Sequence, residues 1–414
     1  MPRTPSQWTT PLPVPEDHYV SSLVYTDPNI FEEERARIFG ECWKFACHES
    51  ELPNTGDYRT TNIAGTPILL IRASADKVNA FINACPHRGA ALVTAPRGNA
   101  RSLTCFFHLW NFSGSGDCMS ITRPEGYKEV ALNKDACGLR AVAVAQKLGM
   151  LFVNLAENPI AFSEYCGDIM DALEQPMGTV PLEVFHYHQV KVHANWKQWQ
   201  ETNMELYHEW GHTVNRTTSI AAKGYYERKW RLHPFGHGSL EPFAVAYEKY
   251  EGWEARTSLA LPGMGPGEFR VVDLFPNTSI IIRATSIRID TSTPIAPGVT
   301  ILEQRGLGVK GESVEDRKQR RNQHNQLWGP FGRNLPEDVI FVESVERNNR
   351  HGASRFGLIA RHENGCGQDD IILRAYYAAW ATRIGRRPCN PLLSSIAALG
   401  SATSTAPHAY AAVD

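Results

Sequence analysis

The alternation of apolar and polar positions divides the chain into a β-rich first part and a mixed second part. Residues 1–37 form an extended lead-in with a short helix, and Ile30, Phe31, Ile38 and Phe39 fall on spacings that bury one helical face. From Trp43 to Leu155 short β segments alternate with turn residues. The clearest are 66–72, 78–83 and a closing strand at 150–155 behind Gly149. After Pro159 the segments lengthen. Residues 185–193 alternate as a strand, a helix is predicted over 197–214, and strands rich in Val, Ile and Thr over 269–276, 278–284 and 299–305. A charged helix covers 313–328 with Ser313 as its cap, another begins near Pro336, and 371–384 reads as the last packed helix. The pattern predicts an α+β protein: a lead-in at 1–37, a small all-β domain at 38–157, a second domain at 158–390 and a loose tail at 391–414.

Composition agrees with two domains, because 414 residues exceed what one hydrophobic core usually supports. Forty-two basic residues face forty-four acidic ones, a net charge of −2, which points away from nucleic acid or a membrane surface as partner. The N-terminus is polar and proline-rich, unlike a secretory signal, and no run approaches the ~20 apolar residues of a membrane span. Nine cysteines are scattered along the chain; the seven outside the motif below read as reduced thiols, which predicts a cytoplasmic location.

Two clusters carry the chemistry. Cys85-Pro86-His87 is followed, after seventeen residues, by Cys105-Phe106-Phe107-His108. Two thiolates and two imidazoles suit an asymmetric [2Fe–2S] cluster, in which histidines on one iron raise the reduction potential. A Cys₂His₂ zinc site uses the same ligands, but zinc fingers usually pair like with like, whereas each pair here holds one of each. In the second domain His208 and His212 stand four apart, one face of a predicted helix. A carboxylate would complete a two-histidine, one-carboxylate site for non-haem Fe(II) with positions open for dioxygen. Asp338 is the leading candidate and Glu337 the fallback; an acid there also suits a helix N-terminus. The histidines at 186, 188 and 193 read as residues of half-solvated sheet faces. Gly306-Leu307-Gly308-Val309-Lys310-Gly311 matches a dinucleotide-binding pattern, but a charged helix follows it, so these glycines read as turn residues and no bound NAD is expected. Arg283, Arg288 and Arg305, on or beside predicted strands, read either as solvent-facing charges or as bidentate holders of a carboxylate or sulfonate.

From the helix at Asp27-Pro28 through Trp380 the sequence resembles the large (α) subunit of bacterial Rieske non-haem iron oxygenases. The resemblance implies a Rieske domain, then a helix-grip catalytic domain with a curved antiparallel sheet. It implies Cys85, His87, Cys105 and His108 as cluster ligands and His208, His212 and Asp338 as iron ligands. The family run D-x-x-H-x-x-x-x-H departs here: its acid is Glu205, and the second histidine comes one residue early. By that resemblance Glu205 links His108 of a neighbouring subunit to His208. Such departures resemble outlying branches acting on small charged substrates, such as carnitine or methanesulfonate monooxygenases.

The resulting expectation is a terminal oxygenase. Electrons from NAD(P)H reach the cluster through a separate reductase, with or without a ferredoxin, and pass to the iron, where O₂ meets a small anionic substrate, an aromatic acid or a sulfonate. Head-to-tail packing in a homotrimer, or in α₃β₃ with a small β subunit, would bring one subunit's cluster beside its neighbour's iron. The alternative is a Rieske-type electron carrier whose second domain is inert.

Overall fold

The computed structural model describes residues 10–218, 224–246, 249 and 259–394. Helix α1, Pro28–Glu34, starts where Asp27 accepts hydrogen bonds from the Asn29 and Ile30 amides and Pro28 occupies the first turn. Ile30, Phe31, Ile38 and Phe39 are buried, as their spacing predicts.

The first sheet is antiparallel and seven-stranded, in the spatial order Lys44–His48, Met150–Asn154, Ala141–Lys147, Lys77–Ile82, Thr66–Ser74, Asp57–Ile63 and Arg97–Asn99. A three-stranded sheet, Leu103–Thr104, Asn111–Phe112 and Cys118–Ser120, sits beside it. Leu69, Ile71, Phe81, Leu103, Trp110 and Phe112 close a separate small core that includes Cys85 and Cys105.

The second sheet is also antiparallel and seven-stranded: Leu182–Val192, Val299–Val309, Ser286–Ala296, Thr278–Arg283, Glu268–Leu274, Gly238–Ala244 and Trp230–Leu232. Val271, Ile280, Ile282, Ile287, Ile289 and Leu307 are fully or almost fully buried in its core. Helices α2 (Trp196–Met204), α3 (Val314–Trp328), α4 (Leu335–Arg350) and α5 (Ile371–Ile384) accompany it. Asn195 and Gln198 form a reciprocal capping box at the start of α2, and Ser313 caps α3 by accepting from the Asp316 amide. This is the small all-β domain followed by a curved antiparallel sheet with helices. Among the described residues no helix is long and apolar enough to cross a membrane.

Four expectations change. The helix predicted over 197–214 is broken: α2 stops at Met204, Glu205 is extended (φ −105°, ψ 100°), and a 3-10 turn runs from Leu206 to Gly211. Gly306 and Gly308 are strand residues, not turn residues. A Cβ on Gly306 would lie 2.8 Å from the His324 ring, and one on Gly308 2.4 Å from Arg320, so helix α3 packs onto the sheet through those two bare positions. The tail expected from 391 begins as a strand, Asn390–Ser394, paired with Arg386–Arg387; residues 395–414 lie outside the described residues. Arg288 and Arg305 are buried rather than solvent-facing, with Arg305 bonded to Glu51 at 2.9 Å.

Glu34, on α1, ties the lead-in to the second sheet's helices. Its carboxylate accepts from Lys197 Nζ (2.7 Å) and from the indoles of Trp196 (2.8 Å) and Trp380 (2.6 Å), all buried. Glu34→Ala strands the Lys197 charge and is expected to destabilise the protein by about 3–5 kcal/mol, read as a lowered denaturant midpoint.

Candidate metal centres

The loops beginning at Cys85 and Cys105 have the same backbone fold. The amide four residues on returns to the cysteine carbonyl (Gly89 to Cys85, 2.8 Å; Leu109 to Cys105, 2.9 Å), and each cysteine amide donates five residues on (Ala90, 2.8 Å; Trp110, 2.8 Å). Closing so tight a turn needs a left-handed residue, supplied by Gly89 (φ +75°) and by Leu109 (φ +58°), where a branched side chain adds strain. The second loop tops the hairpin of Leu103–Thr104 with Asn111–Phe112. The first does not sit on a hairpin tip, because the strands flanking it, Lys77–Ile82 and Arg97–Asn99, are not neighbours in the sheet.

Both thiols point into the small core while His87 and His108 stay half-buried, with ring centres 4.5 Å apart. His87 stacks on Trp110 (4.8 Å, 7°), and its Nε2 lies 3.3 Å from the Tyr127 hydroxyl. Its Nδ1 is buried with no hydrogen-bond partner among the described residues. A buried imidazole nitrogen with no hydrogen bond is available to ligate a metal. Burial, with Cys105 beside it, pushes the Cys85 thiol up, so it is poised as a thiolate only when a cation neutralises it. The four side chains fit a [2Fe–2S] cluster held through two thiolates and two imidazoles.

The second cluster is assembled by the break after α2. Glu205 caps the 3-10 turn by accepting from the His208 amide (3.0 Å), and its second oxygen lies 3.4 Å from His208 Nδ1. His212 follows the turn in extended conformation (φ −69°, ψ 125°), so the two rings converge through a tighter turn than the predicted helix. Asp338 enters from the first turn of α4, and its Oδ1 lies 3.5 Å from His208 Nε2 and 3.3 Å from His212 Nε2. The three ligand atoms lie within 4.8 Å of one another. Glu337, the fallback carboxylate, instead takes His212 Nδ1 at 2.7 Å and the Thr213 amide at 3.2 Å, behind the ring.

Electrostatics agree with that division. Burial alone would raise the Asp338 carboxyl, but the two imidazoles pull it down to about 2. Burial would lower both histidines, and the carboxylates around them raise them instead. A divalent cation bound between them would take the place of protons on the two imidazoles. Asp338 Oδ1 is buried without a well-formed hydrogen bond among the described residues, so the trio fits a mononuclear ion. Carboxylate support of His212 by Glu337 fixes which ring nitrogen faces the ion.

A cavity of about 40 Å³ adjoins the trio, lined among others by Asn203, Phe269, Arg283, Arg288 and Trp328. Two of the three arginines singled out in the sequence therefore stand at this cavity and Arg305 does not. Sequence reasoning missed Trp110 and Tyr127 as supports of His87. Trp110 was within reach as the residue closing the second loop; Tyr127, nineteen positions past His108, left no signal.

The family described as "Rieske [2Fe-2S] domain" matches residues 42–134, and "Ring hydroxylating alpha subunit (catalytic domain)" matches 181–382. The chain is 43% identical to the 2-aminobenzenesulfonate 2,3-dioxygenase α subunit of Alcaligenes sp., covering 94% of this chain and 99% of that one. It is 40% identical to the methanesulfonate monooxygenase hydroxylase α subunit of Methylosulfonomonas methylovora, covering 94% and 97%. The solved structure of a quaternary ammonium Rieske monooxygenase superposes with a TM-score of 0.75 over 90% of this chain and 98% of that one, at 22% identity.

The chain belongs to the α subunits of the Rieske non-haem iron ring-hydroxylating oxygenases. It is the terminal oxygenase of a multicomponent system, with a Rieske [2Fe–2S] cluster and a mononuclear iron, fed from NAD(P)H through a partner reductase. The family works with reductase and ferredoxin partners and assembles as oligomers.

Proposed function

We propose that this chain hydroxylates a small organic sulfonate at an iron held by His208, His212 and Asp338, with the cluster held by Cys85, His87, Cys105 and His108. The convergence of the three second-domain ligands on a cavity that also presents Arg283 and Arg288 carries this reading. Bound there, Fe(II) would supply the site of dioxygen activation, with coordination positions left open by only three protein ligands. Asp338 keeps the site anionic, Glu337 orients His212, and Phe269 and Trp328 give the cavity its apolar wall. Sulfonates are named as substrates of both relatives described above. A sulfonate offers oxygens in the geometry that a guanidinium meets with paired hydrogen bonds. Arg283, whose guanidinium lies 4.2 Å over the Phe269 ring, is the proposed anchor; Arg288 is engaged by Asp290 and Asn203 at 2.7 Å each and shapes the wall. An inert second domain would have no use for ligands arranged in this way.

Arg283→Gln is expected to raise KM for a sulfonate roughly tenfold to a hundredfold, the 1.5–3 kcal/mol of a charge-assisted hydrogen bond. Cluster and iron content should not change. Steady-state kinetics across a set of sulfonates and isosteric neutral amides tests it: equal losses on both would refute the anchor.

In this reading the two centres that exchange electrons lie on different copies of the chain. Phe106, Phe107 and Leu109 at the cluster tip are 66%, 52% and 58% exposed, and Tyr207 and Trp210 beside the iron site are 47% and 52% exposed. Two different apolar patches on one chain are what a head-to-tail ring needs. Glu205, a quarter exposed, then accepts from His108 of the neighbour while holding His208. The assembly is a homotrimer or α₃β₃, built from chains divided at about residue 157, and the free thiols at all seven remaining cysteines suit the cytoplasm.

A further inference from the structure

A band of buried polar side chains crosses the catalytic sheet from its edge strand to the iron cavity. In register, His186, Gly306 and Arg288 form one row across three neighbouring strands, and His188, Gln304 and Asp290 form the next on the same face. Helix α3 lays His324 over Gly306, the position where a Cβ would collide with its ring. The ring centre of His324 is 5.1 Å from that of His186, and His186 Nε2 meets His188 Nδ1 at 2.8 Å. At one end His186 lines an open groove of about 950 Å³ between the two sheets' domains. At the other, Arg288 and its partner Asn203 line the iron cavity.

This band is short of hydrogen-bond partners. His188 Nε2, both ring nitrogens of His324, Arg288 Nε and Gln304 Oε1 are buried with none among the described residues. His324, Gln304 and Arg288 are 0%, 0% and 3% exposed, so bulk solvent does not reach them. Polar atoms buried this deeply are normally satisfied, either by protein groups or by enclosed water making about three bonds to each molecule.

We propose that His186, His188, His324 and Gln304 hold a file of water that conducts protons from the groove to the iron cavity. The inference rests on the iron reading above, because hydroxylation creates the demand. In RH + O₂ + 2e⁻ + 2H⁺ → ROH + H₂O, the cluster brings the electrons, while two protons must also reach the cavity. A neutral imidazole serves well, accepting a proton at one nitrogen and releasing one at the other. Burial favours that neutral form: it lowers His186, takes His188 to about 4 with His186 and Arg288 facing it, and lowers His324 strongly, with His186, His188 and Arg288 facing it. Asp290, paired with Arg288, is the remaining charged group of the band. Gly306 keeps the file open, since any larger residue would displace His324.

The test uses the holoenzyme with its reductase and compares His324→Phe, His324→Gln and, as control, His208→Ala. In His324→Phe the cluster should still reduce the iron at the normal rate under nitrogen. Product formation after mixing with O₂ should slow on the order of tenfold or more, with an enlarged solvent deuterium isotope effect. His324→Gln, which still holds water, should recover most of the rate. A high-resolution crystal structure should show ordered water at both His324 nitrogens, absent in His324→Phe. If His324→Phe fails to fold, His188→Asn at the half-buried edge should give the same slowing and the same isotope effect. The path is overturned if these variants keep normal rate and isotope effect while His208→Ala abolishes product, or if the crystal shows the band dry. An active His208→Ala would instead overturn the iron reading.

Discussion

Asp338→Ala is expected to give a folded protein that keeps its cluster absorption but binds almost no iron and forms no measurable product. Among the described residues Asp338 supplies the only carboxylate that faces both imidazoles, at 3.5 and 3.3 Å, and it is buried. Removing it takes away both a ligand and the negative charge that draws a divalent cation into the site. The fold should survive, because alanine is well tolerated in a helix's first turn and His208 and His212 can give up their protons when the carboxylate is removed. Glu337→Gln gives the contrast. It sits behind His212, so its loss should weaken iron binding by the roughly 10–100-fold typical of an outer partner, and activity should return with added Fe(II). Metal analysis alongside turnover separates the two. If Glu337→Gln lost iron outright and Asp338→Ala kept it, the assignments would have to be exchanged.

Glu205→Gln is expected to leave cluster, iron and fold intact and to slow iron reduction by the cluster on the order of 10–100-fold. The amide oxygen can still accept from the His208 amide, so the 3-10 turn should persist. What disappears is the charge beside His208 Nδ1 and, in the proposed ring, the acceptor for the neighbour's His108. Stopped-flow mixing of pre-reduced protein with O₂ reads the step directly. A normal rate would show that electrons reach the iron without Glu205. Glu205→Asp, one methylene shorter, should fall between the two, because it keeps the charge and loses reach.

Local patterns were legible in the sequence wherever one residue's chemistry decides the structure. Ser313 at a cap, Pro28 in a first turn and the alternation over 185–193 all give the elements they announce. The loops at Cys85 and Cys105 stood out for the same reason, since cysteine and histidine at those spacings have few other uses. What local reading missed depends on contacts far along the chain. Gly306 and Gly308 look like a turn until helix α3 is packed against them. A continuous helix through Glu205 suits its propensities, but Glu205 serves better as a cap for the turn that brings His208 and His212 to Asp338. The choice between Asp338 and Glu337 lies in which way two adjacent side chains leave α4, and sequence spacing has no access to it. Arginines 288 and 305 look like exposed strand charges until Asp290 and Glu51 are placed beside them.

The central claim is that this chain itself inserts oxygen from O₂ into an anionic substrate at the site of His208, His212 and Asp338. Single turnover of the isolated, fully reduced protein with a small alkane- or arenesulfonate under ¹⁸O₂ tests it most directly. The account predicts ¹⁸O-labelled hydroxylated product from the wild type in proportion to occupied iron, and none from His208→Ala. Unlabelled product, or equal labelled product from both proteins, would contradict it.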